Sequence, residues 1–188
     1  MYEVEVKVRA DHDAVRERLD GLDARHVATV VQEDTYFDAP HREFADTDEA
    51  LRLREEHRET GDGESDTVTE QVVTYKGPLV EAESKTRREV ETAVADADAA
   101  HGVFEALGFD PAATVRKERE YYELDGYTVT LDTVDGLGEF VEVEIEAAEE
   151  GVEEAREGAY AVLRDLGLDP ADQIRTSYLG LCLDDAGK

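Results

Sequence analysis

Cysteine is nearly absent from this chain. Cys182 stands alone, which excludes an intramolecular disulfide and agrees with a reducing compartment; it reads as a small buried hydrophobe near the C-terminus. No apolar run approaches the roughly 18 residues needed to span a bilayer, and the N-terminus lacks a basic, apolar signal region. A soluble, cytoplasmic protein is expected, with no membrane partner. Histidine is sparse too. The five, at positions 12, 26, 41, 57 and 101, show no metal-ligand spacing, so zinc is not expected. Only five of the 20 basic residues are lysine, against 49 acidic residues and a net charge of −29. An acid-rich, lysine-poor composition resembles adaptation to a cytoplasm of high salt, where screening over about 3 Å mutes self-repulsion. The same charge repels a phosphate backbone, so duplex nucleic acid is not an expected partner. There is no linker, no low-complexity tract beyond acidic surface segments and no repeat of 20 to 50 residues. The 188 residues read as one domain, 1–188, long enough for a sizeable core.

What the chain does contain is period-two alternation. It predicts strands at 2–9, 26–37, 50–58, 68–77, 86–94, 114–124, 127–133 and 138–147, with hairpin loops at 59–66 and at "DGLG", 135–138. Helices are expected at about 11–23, with Asp11 as N-cap and Val15, Leu19 and Leu22 on the apolar face. A second is expected at about 96–107, with Val103, Phe104 and Leu107 apolar and Gly108 ending it. A third covers about 149–166 and stops at Gly167, and "DPADQIRTSYLGLCLDD" adds another turn or two. The fold class is α+β: eight mostly antiparallel strands forming a closed or nearly closed barrel, with helices packed outside.

The opening strand, "YEVEVKV", sets the functional question. Successive side chains on a strand point to opposite faces, so Tyr2, Val4, Val6 and Val8 lie on one face and Glu3, Glu5 and Lys7 on the other. A single strand of this kind is most simply amphipathic, with a wet polar side. Taken together the strands say otherwise, because 12 of the 20 basic residues fall in or beside them, often at i, i+2 opposite an apolar face. Arg52 and Arg54 alternate with Leu51 and Leu53; Lys117 and Arg119 share a face; Arg87 aligns with Glu89 and Glu91; Lys76 follows Val72 and Thr74. Asp132, with Thr128 and Thr130, and the row Glu142, Glu144 and Glu146 supply carboxylates. If the apolar faces pack against external helices, these charged rows converge on the lumen. Buried like charges need a counter-ligand. Arg and Lys suit a polyanion, and clustered carboxylates suit Mg²⁺ or Mn²⁺. A triphosphate with its metal meets both requirements.

The motifs "EVEVK", "DTYFD" (34–38), "LRLR" (51–54), "YKGP" (75–78), "RREVE" (87–91), "RKERE" (116–120) and "LDTVDGLGEFVEVEIE" (131–146), in that order, resemble the CYTH superfamily of triphosphate tunnel enzymes. The match covers most of residues 1 to about 147, and its closest form is the class IV adenylyl cyclase-like branch. The resemblance implies an eight-stranded antiparallel tunnel open at both ends. It implies metal ligation by Glu3, Glu5, Glu142 and Glu144, with Asp132 near a second metal position. Lys7, Arg52, Arg54, Lys76, Arg87, Lys117 and Arg119 would contact the phosphates. Glu89 takes an inner carboxylate position, while Arg88 and Arg116 have the wrong parity for the lumen.

The reaction is left open between three readings. A cyclase directs the ribose 3′-hydroxyl of ATP at the α-phosphate and releases pyrophosphate. A triphosphatase directs water at the γ-phosphate of ATP or tripolyphosphate, and a non-catalytic module only binds. Tyr36 and Lys76 match a water-activating pair of bacterial inorganic triphosphatases of the family, in which the lysine is a base. That role requires a depressed lysine pKa. The "DTYFD" setting and the terminal "RTSYLGL" lie closer to the cyclase-like branch, with Asp34, Phe37 and Asp38 as packing and turn residues. A homodimer is admitted by the general frequency of two-fold assemblies.

Overall fold

A computed structural model describes residues 2–58, 67–80 and 84–186. Eight strands, β1 (Tyr2–Arg9), β2 (Arg25–Asp38), β3 (Ala50–Arg58), β4 (Thr67–Leu79), β5 (Arg87–Ala93), β6 (Asp110–Leu124), β7 (Tyr127–Val134) and β8 (Gly138–Ala147), pair antiparallel into a closed barrel in the order β1-β5-β4-β3-β2-β6-β7-β8. Four helices accompany them: α1 (His12–Gly21), α2 (Ala97–Ala106), α3 (Val152–Asp165) and α4 (Tyr178–Ala186). The hairpin loop expected at 59–66 lies outside the described residues. The expected β7–β8 turn is present, with Gly136 and Gly138 both at positive φ.

The barrel has one short seam. β1 pairs with β8 along its whole length but with β5 only at Glu3 and Arg87. The rest of that edge of β1 is satisfied from elsewhere, as a buried polar backbone demands. The Lys85 amide donates to the Glu5 carbonyl (3.3 Å) and the Ile174 amide to the Lys7 carbonyl (2.7 Å). The segment ahead of α4 therefore lies against β1 and brings Ser177 and Tyr178 to the lumen.

Outward apolar faces make the main core. Val6, Val8, Val129, Leu131, Val141 and Val143 meet Val15 and Leu19 of α1 and Ala159, Val162 and Leu163 of α3. Asp11 caps α1 as expected, its carboxylate accepting from the Ala14 amide (3.0 Å). A second cluster seats α2 on Phe37, Phe44, Leu51 and Leu53, through Ala97, Ala100 and Phe104. The expected apolar face of α2 is only partly used: Phe104 packs, whereas Val103 and Leu107 are exposed. Leu22 is exposed as well. α3 starts at Val152 rather than 149 because a 3₁₀ turn, Glu149–Gly151, precedes it. The C-terminal segment forms a full helix, α4. It packs where the inward positions turn apolar, on Tyr36, Val115, Val134 and Phe140, and Cys182 is half-buried there.

Candidate active site

Because alternation holds along each strand, one parity faces inward throughout. A cavity of about 240 Å³ is lined by Glu3, Glu5 and Lys7 of β1, Arg52 and Arg54 of β3, Lys76 of β4 and Arg87, Glu89 and Glu91 of β5. Lys117, Arg119 and Tyr121 of β6, Glu142 and Glu144 of β8, and Tyr36, Asp48, Glu49, Ala50, Lys85, Ser177 and Tyr178 complete it. Every expected site residue lines this cavity except Asp132. Arg116 points outward to Asp135 (3.6 Å) and Arg88 is exposed, as their parity requires.

The carboxylates separate into two groups. Oxygens of Glu5, Glu142 and Glu144 all lie within 4.8 Å of one another. Glu3 stands apart beside Glu89 and Lys76: Lys76 Nζ is 2.5 Å from Glu89 and 3.8 Å from Glu3. Burial raises the Glu3 carboxyl against the opposing Lys76 charge, while Lys76 carries Glu89 below its ordinary value despite burial. Within the trio, burial and then the Glu3 carboxylate push Glu144 up to about 8, with Arg119 opposing and Glu142 and Glu5 adding to the rise. Glu142 goes the other way: burial disfavours its charge, but Arg119, Lys7 and Lys117 hold it well below the carboxylate range. Glu5 Oε1 is buried without a hydrogen-bond partner, the Lys7 ammonium standing off at 3.7 Å. Three crowded carboxylates, one held protonated and one with an unused oxygen, are a donor set that a hard divalent cation fits, since such ions take carboxylate oxygens.

The arginines are held by further carboxylates behind the cavity wall. Asp34 grips Arg54 with a two-pronged pair (2.6 and 2.7 Å) and lies 3.6 Å from Arg52. Burial opposes the charge on Asp34, yet Arg54 and Arg52 carry its carboxyl far below the usual range. Asp132 plays the same part for Arg119, accepting from its Nε (2.5 Å) and its Nη2, and it also accepts from the Tyr178 hydroxyl (2.9 Å) with Lys117 at 3.5 Å. Arg119 Nη2 reaches on to Glu142. Asp132 is wholly buried and its oxygens are engaged by cations, so it backs the cavity wall and does not join the carboxylate trio. Lys117 is lowered to about 8 by burial and then by Arg119, and Lys85 to about 8 by burial and then by Lys7 and Arg87, against the pull of Glu5. Lys76 is different. Burial works to lower it, but Glu3 and Glu89 raise it above its ordinary value, the reverse of what a lysine base at 76 requires. Tyr36 lies in the apolar cluster under α4 and burial pushes its hydroxyl up.

A CYTH domain model matches residues 1–178. The chain belongs to the CYTH family. This CYTH chain is 37% identical over 187 residues to a Methanocaldococcus jannaschii protein named as a candidate adenylate cyclase, covering 96% of this chain and 98% of that one. It is 30% identical over 184 residues to adenylate cyclase CyaB of Aeromonas hydrophila, covering 96% and 88%. Among solved structures it resembles the PH1819 protein of Pyrococcus horikoshii, with a TM-score of 0.86, 36% identity and coverage of 97% and 99%. The barrel is thus the CYTH fold.

Several site residues of this CYTH chain escape the strand-by-strand reading. Lys85 lies before β5, outside any alternating run, and Tyr178 and Ser177 come from the C-terminal segment; nothing in their local pattern points inward. Asp34 is an inward residue of β2 by parity and not a packing or turn residue. The signal was available: it alternates with Phe37 and precedes Tyr36 by two.

Proposed function

We propose that the chain is a divalent-cation-dependent enzyme acting on a triphosphate in the barrel lumen, in the manner of a class IV adenylyl cyclase. The observation that carries the reading is the carboxylate trio set among cations in one cavity. Glu5, Glu142 and Glu144 would hold Mg²⁺ or Mn²⁺, which when bound neutralises charge on phosphate oxygens; Glu3, expected as a fourth ligand, is paired here with Lys76 and stands outside the trio. Lys7, Arg52, Arg54, Lys76, Arg87, Lys117 and Arg119 receive the phosphates. Asp34 and Asp132 aim the arginines, so the donors are in place before charge develops. In the reaction, ribose O3′ bonds to the α-phosphorus, the bond to the β-phosphate oxygen breaks, and pyrophosphate leaves. The proton of the 3′-hydroxyl has a candidate acceptor in Lys85, since an amine lowered to about 8 is partly neutral at physiological pH. Lys76, held protonated, acts as a phosphate cation. The names of the Methanocaldococcus and Aeromonas relatives support this direction.

A second reading, hydrolysis of the γ-phosphate, is favoured by one feature of the wall. Among the described lining residues only Ala50 and the rings of Tyr36, Tyr121 and Tyr178 are neither charged nor serine, a surface that recognises polyphosphate better than a nucleobase. Incubation with ATP or tripolyphosphate and Mg²⁺ or Mn²⁺ in high salt separates the two. Cyclic AMP with pyrophosphate supports cyclisation; orthophosphate from tripolyphosphate supports hydrolysis. Among the described residues no helix is long and apolar enough to cross a membrane, and we read the chain as a cytoplasmic protein of a high-salt cell.

A further inference from the structure

Two of the lysines in the cavity share an aromatic floor. Lys7 Nζ sits 4.2 Å from the centroid of the Tyr178 ring and Lys117 Nζ 5.0 Å from it. The ring is itself fixed on both sides: its hydroxyl donates to Asp132 (2.9 Å), and Phe140 meets it edge-on at 5.0 Å between centroids. Tyr178 is buried and belongs to none of the strands. It arrives with the segment whose Ile174 amide closes the edge of β1 at Lys7 itself.

We propose that Tyr178 is a positioning residue that aims Lys7 and Lys117 at the polyphosphate. This rests on the reading of the lumen as a triphosphate site and adds to it a contribution from the C-terminal helix. The chemistry is specific. Both ammonium groups lie within reach of carboxylates, Lys7 of Glu5 and Glu142 and Lys117 of Asp132. Without a competing partner each would swing fully onto its carboxylate and be lost to an incoming anion. A tyrosine face attracts an ammonium without neutralising it, so the cations stay charged, desolvated on one side and free to donate on the other. The hydroxyl on Asp132 sets the height of the ring and occupies a carboxylate oxygen that Lys117 would otherwise take.

The test uses Tyr178→Phe, which keeps the ring, Tyr178→Leu, which removes it, and Leu181→Ala, which loosens α4 without touching either lysine. Tripolyphosphate titrated calorimetrically into metal-free protein should bind Tyr178→Phe within about twofold of the parent and Tyr178→Leu roughly tenfold more weakly, while Leu181→Ala lowers Tm and leaves affinity unchanged. If Leu181→Ala weakens binding as much as Tyr178→Leu, or if Tyr178→Phe alone abolishes it, the proposal is overturned. A second readout needs no ligand. Lys7 and Lys117 ε-methylene resonances should be shifted upfield by the ring in the parent and in Tyr178→Phe; ordinary shifts in the parent would also overturn it. If the parent binds no tripolyphosphate while those shifts are present, the triphosphate reading fails and the positioning stands.

Discussion

Arg87 donates through one guanidinium nitrogen to the backbone carbonyl of Asp48 (2.7 Å) and through another to its carboxylate (3.0 Å). Asp48 holds a left-handed backbone, φ 54, in the connection between β2 and β3. A buried cation of the lumen is thus met by an internal anion, and on the proposed reading a phosphate reaching Arg87 must share it or displace the carboxylate.

Replacing Asp48 by Asn removes that competitor while keeping a residue that tolerates positive φ. Half-exposed ion pairs are worth about 0.2–1 kcal/mol, so tripolyphosphate should bind Asp48→Asn up to a few-fold more tightly by calorimetry. Weaker binding would mean that the aspartate helps to orient Arg87 and does not compete with the ligand.

The pH dependence of metal binding follows from Glu144, raised to about 8 from an ordinary 4.5. Between those values the unfolded chain gives up a proton that the folded one keeps. Metal-free stability from this group therefore falls as pH rises through that window and levels off above it. A divalent cation favours the ionised form, so added Mg²⁺ should raise Tm more at about pH 8.5 than at about pH 6. Equal shifts at both would remove Glu144 from the ligand set.

Glu144→Gln takes one carboxylate out of the crowded trio. Above about pH 8, where Glu144 is ionised, the metal-free protein should melt higher, because a buried like-charge contact is relieved. Its Tm should no longer respond to Mg²⁺, and turnover should drop about 10- to 100-fold, in the range seen when the support of a metal site is lost. Differential scanning calorimetry with and without chelator checks the first two, and product formation the third.

Asp34→Asn leaves Arg54 and Arg52 buried without their counter-charge. Breaking a buried pair on one side costs about 3–5 kcal/mol, so the urea midpoint should fall sharply. An unchanged midpoint would mean that water replaces the carboxylate at no cost.

Alternation made the barrel and its inner face legible, because period two is enforced on every strand by the pleat. That is why Arg116 and Arg88 could be excluded from the lumen from parity alone, and why Glu5, Arg52 and Glu142 could be placed inside it. Parity gives the face and not the neighbour. Asp132 was legible as inward, but its position behind Arg119 depends on the β6–β7 register, which sets those two residues opposite each other. Glu3 was grouped with Glu5 because they share a strand face; the short β1–β5 seam instead pairs it with Arg87 and leaves it near Lys76. Val103 and Leu107 satisfied the helical period of α2 yet had no sheet surface left to cover. Lys85 and Tyr178 lie outside strands, where no periodicity signals direction.

The seam also orders events during synthesis. Glu5 on β1 can meet Glu142 and Glu144 only after β8 has been made, and the edge of β1 is completed by residue 174. A chain emerging from the ribosome carries its basic strands β3 to β6 well before the carboxylates of β8, so its cations are matched by Asp34 long before the carboxylate trio exists. Pairings this distant in sequence slow folding. Acquisition of divalent-cation affinity should therefore be among the last steps of maturation, coincident with the arrival of the C-terminal segment.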